Sequence, residues 1–287
     1  MSDLFTNSQI DFTPDEKAKI HEEGAIRLIC SSFQSHESGL PEWVKNAGDM
    51  YRRRNASRED SVILLLFRNG TKKRPSLVGC LDLGGMSVED IEDRFSQWAD
   101  PNASAVEDAD GVQGGHGNGG KCYMTQMFTR HSYLHTLEDG KASKYGFVSG
   151  KGFVPGYFPD KKNGRGYSVG DPERELNAAL GPFGLTVEQL PDEARRVFTQ
   201  SGGFTLVLGA GAKGYETRLP VSNWIDSLKS HQQTVHTLQR NLVFAFHRGS
   251  FLNDGQCLAL PEITPIPGAE SGRTIAIPET LTDPNTG

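Results

Sequence analysis

Glu42, Asn46 and Asp49 sit four and three residues apart in the stretch from Leu40 to Arg54, LPEWVKNAGDMYRRR. At about 100° per residue these three and Arg53 fall on one narrow polar stripe of a helix. Trp43, Val44, Ala47, Met50 and Tyr51 recur at helical spacing and make the opposite, apolar face. A carboxylate, an amide and a second carboxylate then point the same way. The set offers oxygen ligands and a potential base. Pro41 suits the first position of such a helix, where no amide hydrogen is needed. A polar stripe alone more often faces water, so its meaning depends on what the rest of the chain brings to it.

Two further groups follow in order. Asp82-Leu83-Gly84-Gly85-Met86 comes directly after LVGCLD, which reads as a strand over Leu77 to Asp82. Gly114-x-x-Gly117-Asn118-Gly119-Gly120-Lys121 closes an acidic, small-residue stretch that starts near Ala99, and it opens an apolar helical pattern, CYMTQMF. Glycines at a helix N-terminus can offer amide hydrogens to phosphate. Thr205 lies later, on a strand reading GFTLVL from Gly203 to Leu208.

The elements that must position these groups read as follows. Thr13-Pro14-Asp15-Glu16 is a capping box starting a helix towards Phe33. Ser35 to Gly39 is a break. SVILLLF, Ser61 to Phe67, is a strand covered on both faces. Ser87 with Asp90 caps a helix whose buried stripe is Val88, Ile91, Phe95 and Trp98. Ser132 to Val148 forms a hairpin turning at Asp139-Gly140. Ser149 to Asp171 is a loop rich in glycine and lysine. Thr186 with Gln189 precedes a helix to about Phe198. A helix near Ser222 to Leu238 and a strand at Leu242 to Phe246 follow, and the C-terminal stretch is Pro-rich and lacks periodicity. The chain reads as the front part of something longer.

A chain of 287 residues with 36% hydrophobic residues supports a sizeable core, and 33 glycines with 15 prolines imply many loops. The net charge of −6 argues against a nucleic-acid-binding domain acting alone. Four cysteines, far apart in sequence and without histidines at metal spacing, read as reduced thiols of a cytoplasmic protein. There is no basic-then-apolar leader and no apolar run of membrane-spanning length.

The order Glu42-x-x-x-Asn46-x-x-Asp49, Asp82-x-Gly84-Gly85, Gly114-x-x-Gly117-x-Gly119 and Thr205 resembles the GHKL (Bergerat-fold) ATPase superfamily over about residues 20 to 210. Leu28-Ile-Cys-Ser-Ser-Phe33 leading into LPEWVKNAGD looks most like the heat-shock chaperone and MORC branch. The resemblance implies an α+β two-layer sandwich, a mixed and mostly antiparallel sheet with helices on one face. The ATP-binding domain would span 1–212, with an extension or the start of a transducer-like domain over 213–287. Its cofactors would be ATP and Mg2+.

The same resemblance implies a role for each motif residue. Asn46 supplies one oxygen to magnesium, which keeps several waters. Glu42 polarises the attacking water, and Asp49 lies towards sugar and base. Asp82 accepts from the adenine amino group, with Thr205 in support, and Gly84, Gly85 and Met86 pass close to the base. Gly114, Gly117, Asn118, Gly119, Gly120 and Lys121 cradle the phosphates. A lid over Ala99 to Lys121 closes on ATP and promotes homodimerisation, and a client or partner protein is left unspecified. The family motif D-x-G-x-G is one residue tighter here, and Phe204 separates Gly203 from Thr205.

Competing readings are a phosphotransfer domain of histidine-kinase type, with His36 in H-E-x-x-x-P as acceptor, and a nucleotide-binding module that does not hydrolyse. The P-loop mimic at Gly115 to Cys122 lacks the Ser or Thr that follows the lysine.

Overall fold

A computed structural model describes residues 21–31, 33–99, 118–158 and 166–260. The fold begins with α1 (Glu22–Cys30) and α2 (His36–Arg53), then β1 (Val62–Arg68), β2 (Leu77–Asp82) and α3 (Val88–Ser96). After the undescribed residues 100–117 come α4 (Gly119–Gln126), the hairpin β3 (Phe128–Glu138) and β4 (Lys141–Val148), and the short strands β5 (Gly156–Tyr157) and β6 (Ser168–Val169). The remainder is α5 (Pro172–Leu180), α6 (Asp192–Ser201), β7 (Phe204–Ala212), α7 (Val221–Ser230), α8 (Gln232–Arg240), β8 (Leu242–His247) and β9 (Ser250–Phe251).

The strands form one nine-stranded sheet in the order β5-β4-β3-β7-β2-β1-β8-β9, with β6 against β4. β1 and β8 run parallel, and every other recorded pairing is antiparallel. The expected α+β sandwich on a mixed, mostly antiparallel sheet is therefore observed.

Strand alternation divides the core in two. Ile63, Leu65 and Phe67 of β1 face the larger helical layer, where Trp43 and Val44 of α2, Ile91 and Phe95 of α3, Tyr123 of α4 and Trp224 of α7 are buried. Val62, Leu64 and Leu66 face the other way, onto Leu176 and Leu180 of α5, Phe183, and Val197 and Phe198 of α6. This second, smaller helical layer adds to the helices expected on one face. It explains why β1 is apolar at successive positions.

Helix boundaries follow local chemistry. α2 starts at His36, within the expected break, because the Ser35 side chain accepts from the Ser38 amide at 3.1 Å. Pro41 consequently falls inside the helix and forfeits the amide bond to the Glu37 carbonyl. The expected single helix near Ser222 to Leu238 is two helices broken at His231, whose backbone is extended. Thr234 Oγ1 donates to the Leu228 carbonyl at the end of α7. α5, which the sequence reading passed over, starts at Asp171, whose carboxylate accepts from the Arg174 amide at 2.9 Å, with Pro172 at the first turn. The expected helix start at Thr13 to Glu16 lies outside the described residues.

Past residue 212 the chain extends the same sheet, with β8 beside β1, and Trp224, Ile225, Leu228 and Leu238 belong to the core under α2. One expectation is corrected: the cysteines are not four thiols. Cys30 of α1 and Cys122 of α4 form a disulfide with Cα atoms 4.8 Å apart, while Cys80 and Cys257 are free. Sequence spacing could not reveal the pair, which is separated by 92 residues. Among the described residues, no helix is long and apolar enough to cross a membrane.

Candidate functional site

α2 is the spine of the site. Its first half meets the glycine start of α4. A Cβ atom at Gly119 would collide with the Glu42 carboxylate, and one at Gly120 would lie 2.9 Å from Asn46 Nδ2. Trp43 Nε1 donates to the Gly120 carbonyl at 3.2 Å, and the Tyr123 ring occupies the space that a side chain at Gly39 would need. With Gly119 and Gly120 there, α4 begins directly against the Glu42 and Asn46 side chains, which a larger residue would have to displace. Asn46 is exposed, Glu42 half-buried and Asp49 buried.

The second half of α2 meets the loop after β2. A Cβ at Gly84 would collide with the thioether of Met50. Arg54 donates to the Gly84 carbonyl at 2.5 Å and to Glu138 Oε1 at 2.9 Å. Tyr51 Oη donates to the Val62 carbonyl at 2.6 Å and accepts from the Leu83 amide at 2.9 Å, which fixes α2 against both β1 and the end of β2. Gly85 has φ of 78°, in the left-handed region, and a side chain there would strike the Leu137 carbonyl. The immediate neighbours of Gly84 and Gly85 are therefore α2 and β3. Glycine at 85 is required by this backbone conformation and the Leu137 carbonyl, while Gly84 faces the mobile end of the Met50 side chain.

Asp82 is the last residue of β2 and pairs with Thr205 in the β2–β7 register. Its Oδ1 accepts from the Gly84 amide at 3.0 Å. Thr205 Oγ1 lies 3.3 Å from Thr136 Oγ1. Thr136 in turn accepts from the Met86 amide at 3.0 Å and donates to the Phe204 carbonyl at 2.9 Å. Thr136 is the node that joins the loop after Asp82 to the start of β7, and the sequence reading did not name it.

Burial sets the electrostatics. It pushes the Asp82 carboxyl up to about 7, against the Gly84 amide and the Arg54 guanidinium, which act the other way. Burial also raises Glu42 and Asp49 above the usual carboxylate range. For both, the main counterweight is Lys45, whose buried side chain lies between them in sequence at helical spacing. Lys45 and Arg54 are charged members of the site that the sequence reading missed. The i+3 and i+4 relation of Lys45 to Glu42 and Asp49 was the available signal.

The remaining expectations divide. Asn118 is buried and its Oδ1 accepts from the Ala99 amide at 3.2 Å, so it braces the fold across the segment. Lys121 is turned away from the Gly119 end. Its Nζ donates to the Arg94 carbonyl at 2.9 Å and to the Gln97 carbonyl, and it stands 4.8 Å over the Trp98 ring. Gly114 and Gly117, and most of the expected lid, lie outside the described residues.

His36 is buried, with Nδ1 2.8 Å from Tyr123 Oη and Nε2 3.3 Å from the Lys213 carbonyl. Burial depresses it to about 4. A ring enclosed this way has no free nitrogen to accept a phosphoryl group, which removes the ground for His36 as a phosphoacceptor. His135 is likewise buried, 3.4 Å from Glu175. Among the described residues, no group of three or more His, Cys, Asp or Glu side chains is arranged to hold a metal ion.

Compared with known proteins, the chain matches no family model and no curated relative.

Proposed function

We propose that this chain is a magnesium-dependent ATPase of the GHKL type, with its nucleotide site along α2. The observation that carries the reading is the meeting of α2 with two unlike neighbours. Glu42 and Asn46 abut the glycine start of α4, and Met50 and Arg54 abut the loop that follows Asp82. The two ends suit the two ends of a nucleotide. Gly119 and Gly120 at a helix N-terminus present amides and a positive dipole end to phosphate. Asp82, backed by Thr205, presents an acceptor to an exocyclic amino group. Guanine has a carbonyl in that place, so adenine is preferred.

The donor set fits magnesium. The ion takes oxygen ligands and retains waters, so the Asn46 amide oxygen together with phosphate oxygens completes a site without a protein cage. Bound there, magnesium would neutralise phosphate charge. Glu42, one turn earlier and raised by burial, is placed to hold and receive the proton of an attacking water. Asp49, one turn later, orders water towards the sugar. The buried ammonium of Lys45 keeps both carboxyls from rising further. Dimerisation on ATP binding and an unidentified client protein belong to the same proposal.

Calorimetry with magnesium-ATP and magnesium-GTP, with phosphate release measured alongside, tests the reading. Preferential ATP binding and release of free phosphate are expected. Equal affinity for both nucleotides removes Asp82 from its role, and no binding of either overturns the proposal.

A further inference from the structure

α1 is fastened to the fold mainly by a covalent bond. Cys30 is its one buried residue, and Leu28 is 75% exposed. Arg27 spends its contacts on Glu23 of the same helix and on the Phe153 ring, 5.5 Å away. A nine-residue helix is too short to persist without tertiary support. Ala25, Ile26 and Ile29 are only half-buried, and the firmest support is the disulfide to Cys122, in which both cysteines are buried. Cys122 lies in the first turn of α4, and its amide donates to the Asn118 carbonyl at 2.8 Å. The covalent link therefore ends on the same turn whose Gly119 and Gly120 abut Glu42 and Asn46.

We propose that the Cys30–Cys122 disulfide is a redox-controlled tether: oxidised, it pins α1 onto the first turn of α4, and reduced by a dithiol, it frees α1 and lowers the affinity of that turn for a nucleoside triphosphate. The second half rests on the ATP reading above. In the reduction a dithiol thiolate attacks one cysteine sulfur. The S–S electron pair leaves on the other sulfur, which takes up a proton. The second thiol of the reductant then resolves the mixed disulfide. The products are two protein thiols and the reductant's own cyclic disulfide. Because α1 has so little packing, its transient opening is the route by which the reductant reaches the buried sulfurs.

The test uses the full chain, air-oxidised or treated with dithiothreitol without denaturant. Thiol titration, hydrogen exchange and magnesium-ATP calorimetry are run on each form. Cys80 and Cys257 should titrate after unfolding the oxidised form, and all 4 cysteines after reduction. Exchange in α1 should accelerate roughly tenfold or more on reduction, while β1 and β2 stay protected. The magnesium-ATP Kd should rise several-fold. Cys30→Ser should show the reduced behaviour with or without dithiothreitol, and reduction of the wild type provides the same comparison without any substitution. Four thiols in the air-oxidised protein, or α1 exchange indifferent to reductant, overturns the tether. Equal ATP affinity in both redox states overturns its coupling to the site. If exchange responds to reduction while neither form binds ATP, the tether stands and the ATP reading falls.

Discussion

Asp82 and Thr205 stand directly opposite one another in the β2–β7 ladder, both buried, at the residue where β2 runs out and turns under α2. The Asp82 carboxyl is held up to about 7 by burial. An acid raised in the folded state binds more protons folded than unfolded between its two pKa values. Its contribution to stability therefore falls as pH rises from about 4 to about 7, and levels off above. Asp82→Asn should flatten this part of the stability curve and weaken ATP binding strongly. In the wild type, ATP affinity should rise through the same upper pH, as the ionised acceptor forms. Urea melts and calorimetry across about pH 4 to 8, which brackets these values, check both. An ATP affinity flat with pH, or unchanged in Asp82→Asn, would sink the assignment.

Glu42 should separate binding from turnover. Glu42→Ala is expected to hold magnesium-ATP within a few-fold of wild type and to lose roughly two orders of magnitude or more in phosphate release. Asn46→Ala should instead lose the magnesium dependence of binding. Wild-type turnover in Glu42→Ala would leave α2 as a binding element only.

Gly119→Ala places a methyl group against the Glu42 carboxylate. The expected result is a loss of turnover close to that of Glu42→Ala. The double variant Gly119→Ala/Glu42→Ala should be no worse than the single changes, because both remove the same arrangement. Strict additivity of the two losses would show that the contact carries no catalytic meaning.

Tyr51→Phe deletes the hydroxyl shared by the Val62 carbonyl and the Leu83 amide. Leaving these buried groups unpaired should cost about 1–3 kcal/mol. The effect should extend beyond stability. Leu83 follows Asp82 directly, so nucleotide affinity should fall while the melting transition stays cooperative. A variant as stable as wild type would mean that water reaches those two groups.

What could be read in the chain follows the range of the forces involved. The stripe of Glu42, Asn46 and Asp49, the strands β1 and β2, and the turn at Asp139-Gly140 are written in local periodicity and turn chemistry. They appear in the structure where expected, within a residue or two. Arg54, Thr136 and the Cys30–Cys122 pair act through partners dozens of residues away, and no local pattern marks them. α5 is different. Asp171-Pro172 carries a side-chain cap and first-turn proline as local as those at Thr13-Pro14, and it follows a glycine-rich loop. The early start of α2 at His36 reflects a Ser35 cap that outweighs the proline six residues later.

The parallel pairing of β1 with β8 also dictates how the protein can be assembled and cut. Val62 to Phe67 is among the first stretches of the sheet to leave the ribosome, yet its neighbour on one side, Leu242 to His247, is made after every other long strand. Until then β1 presents an open row of amides and carbonyls on an apolar strand, the kind of edge that recruits other chains. A fragment ended at residue 212 would keep the residues proposed to bind ATP and lose the strand that closes this edge. Such a fragment is expected to aggregate, whereas the chain through residue 260 can close it.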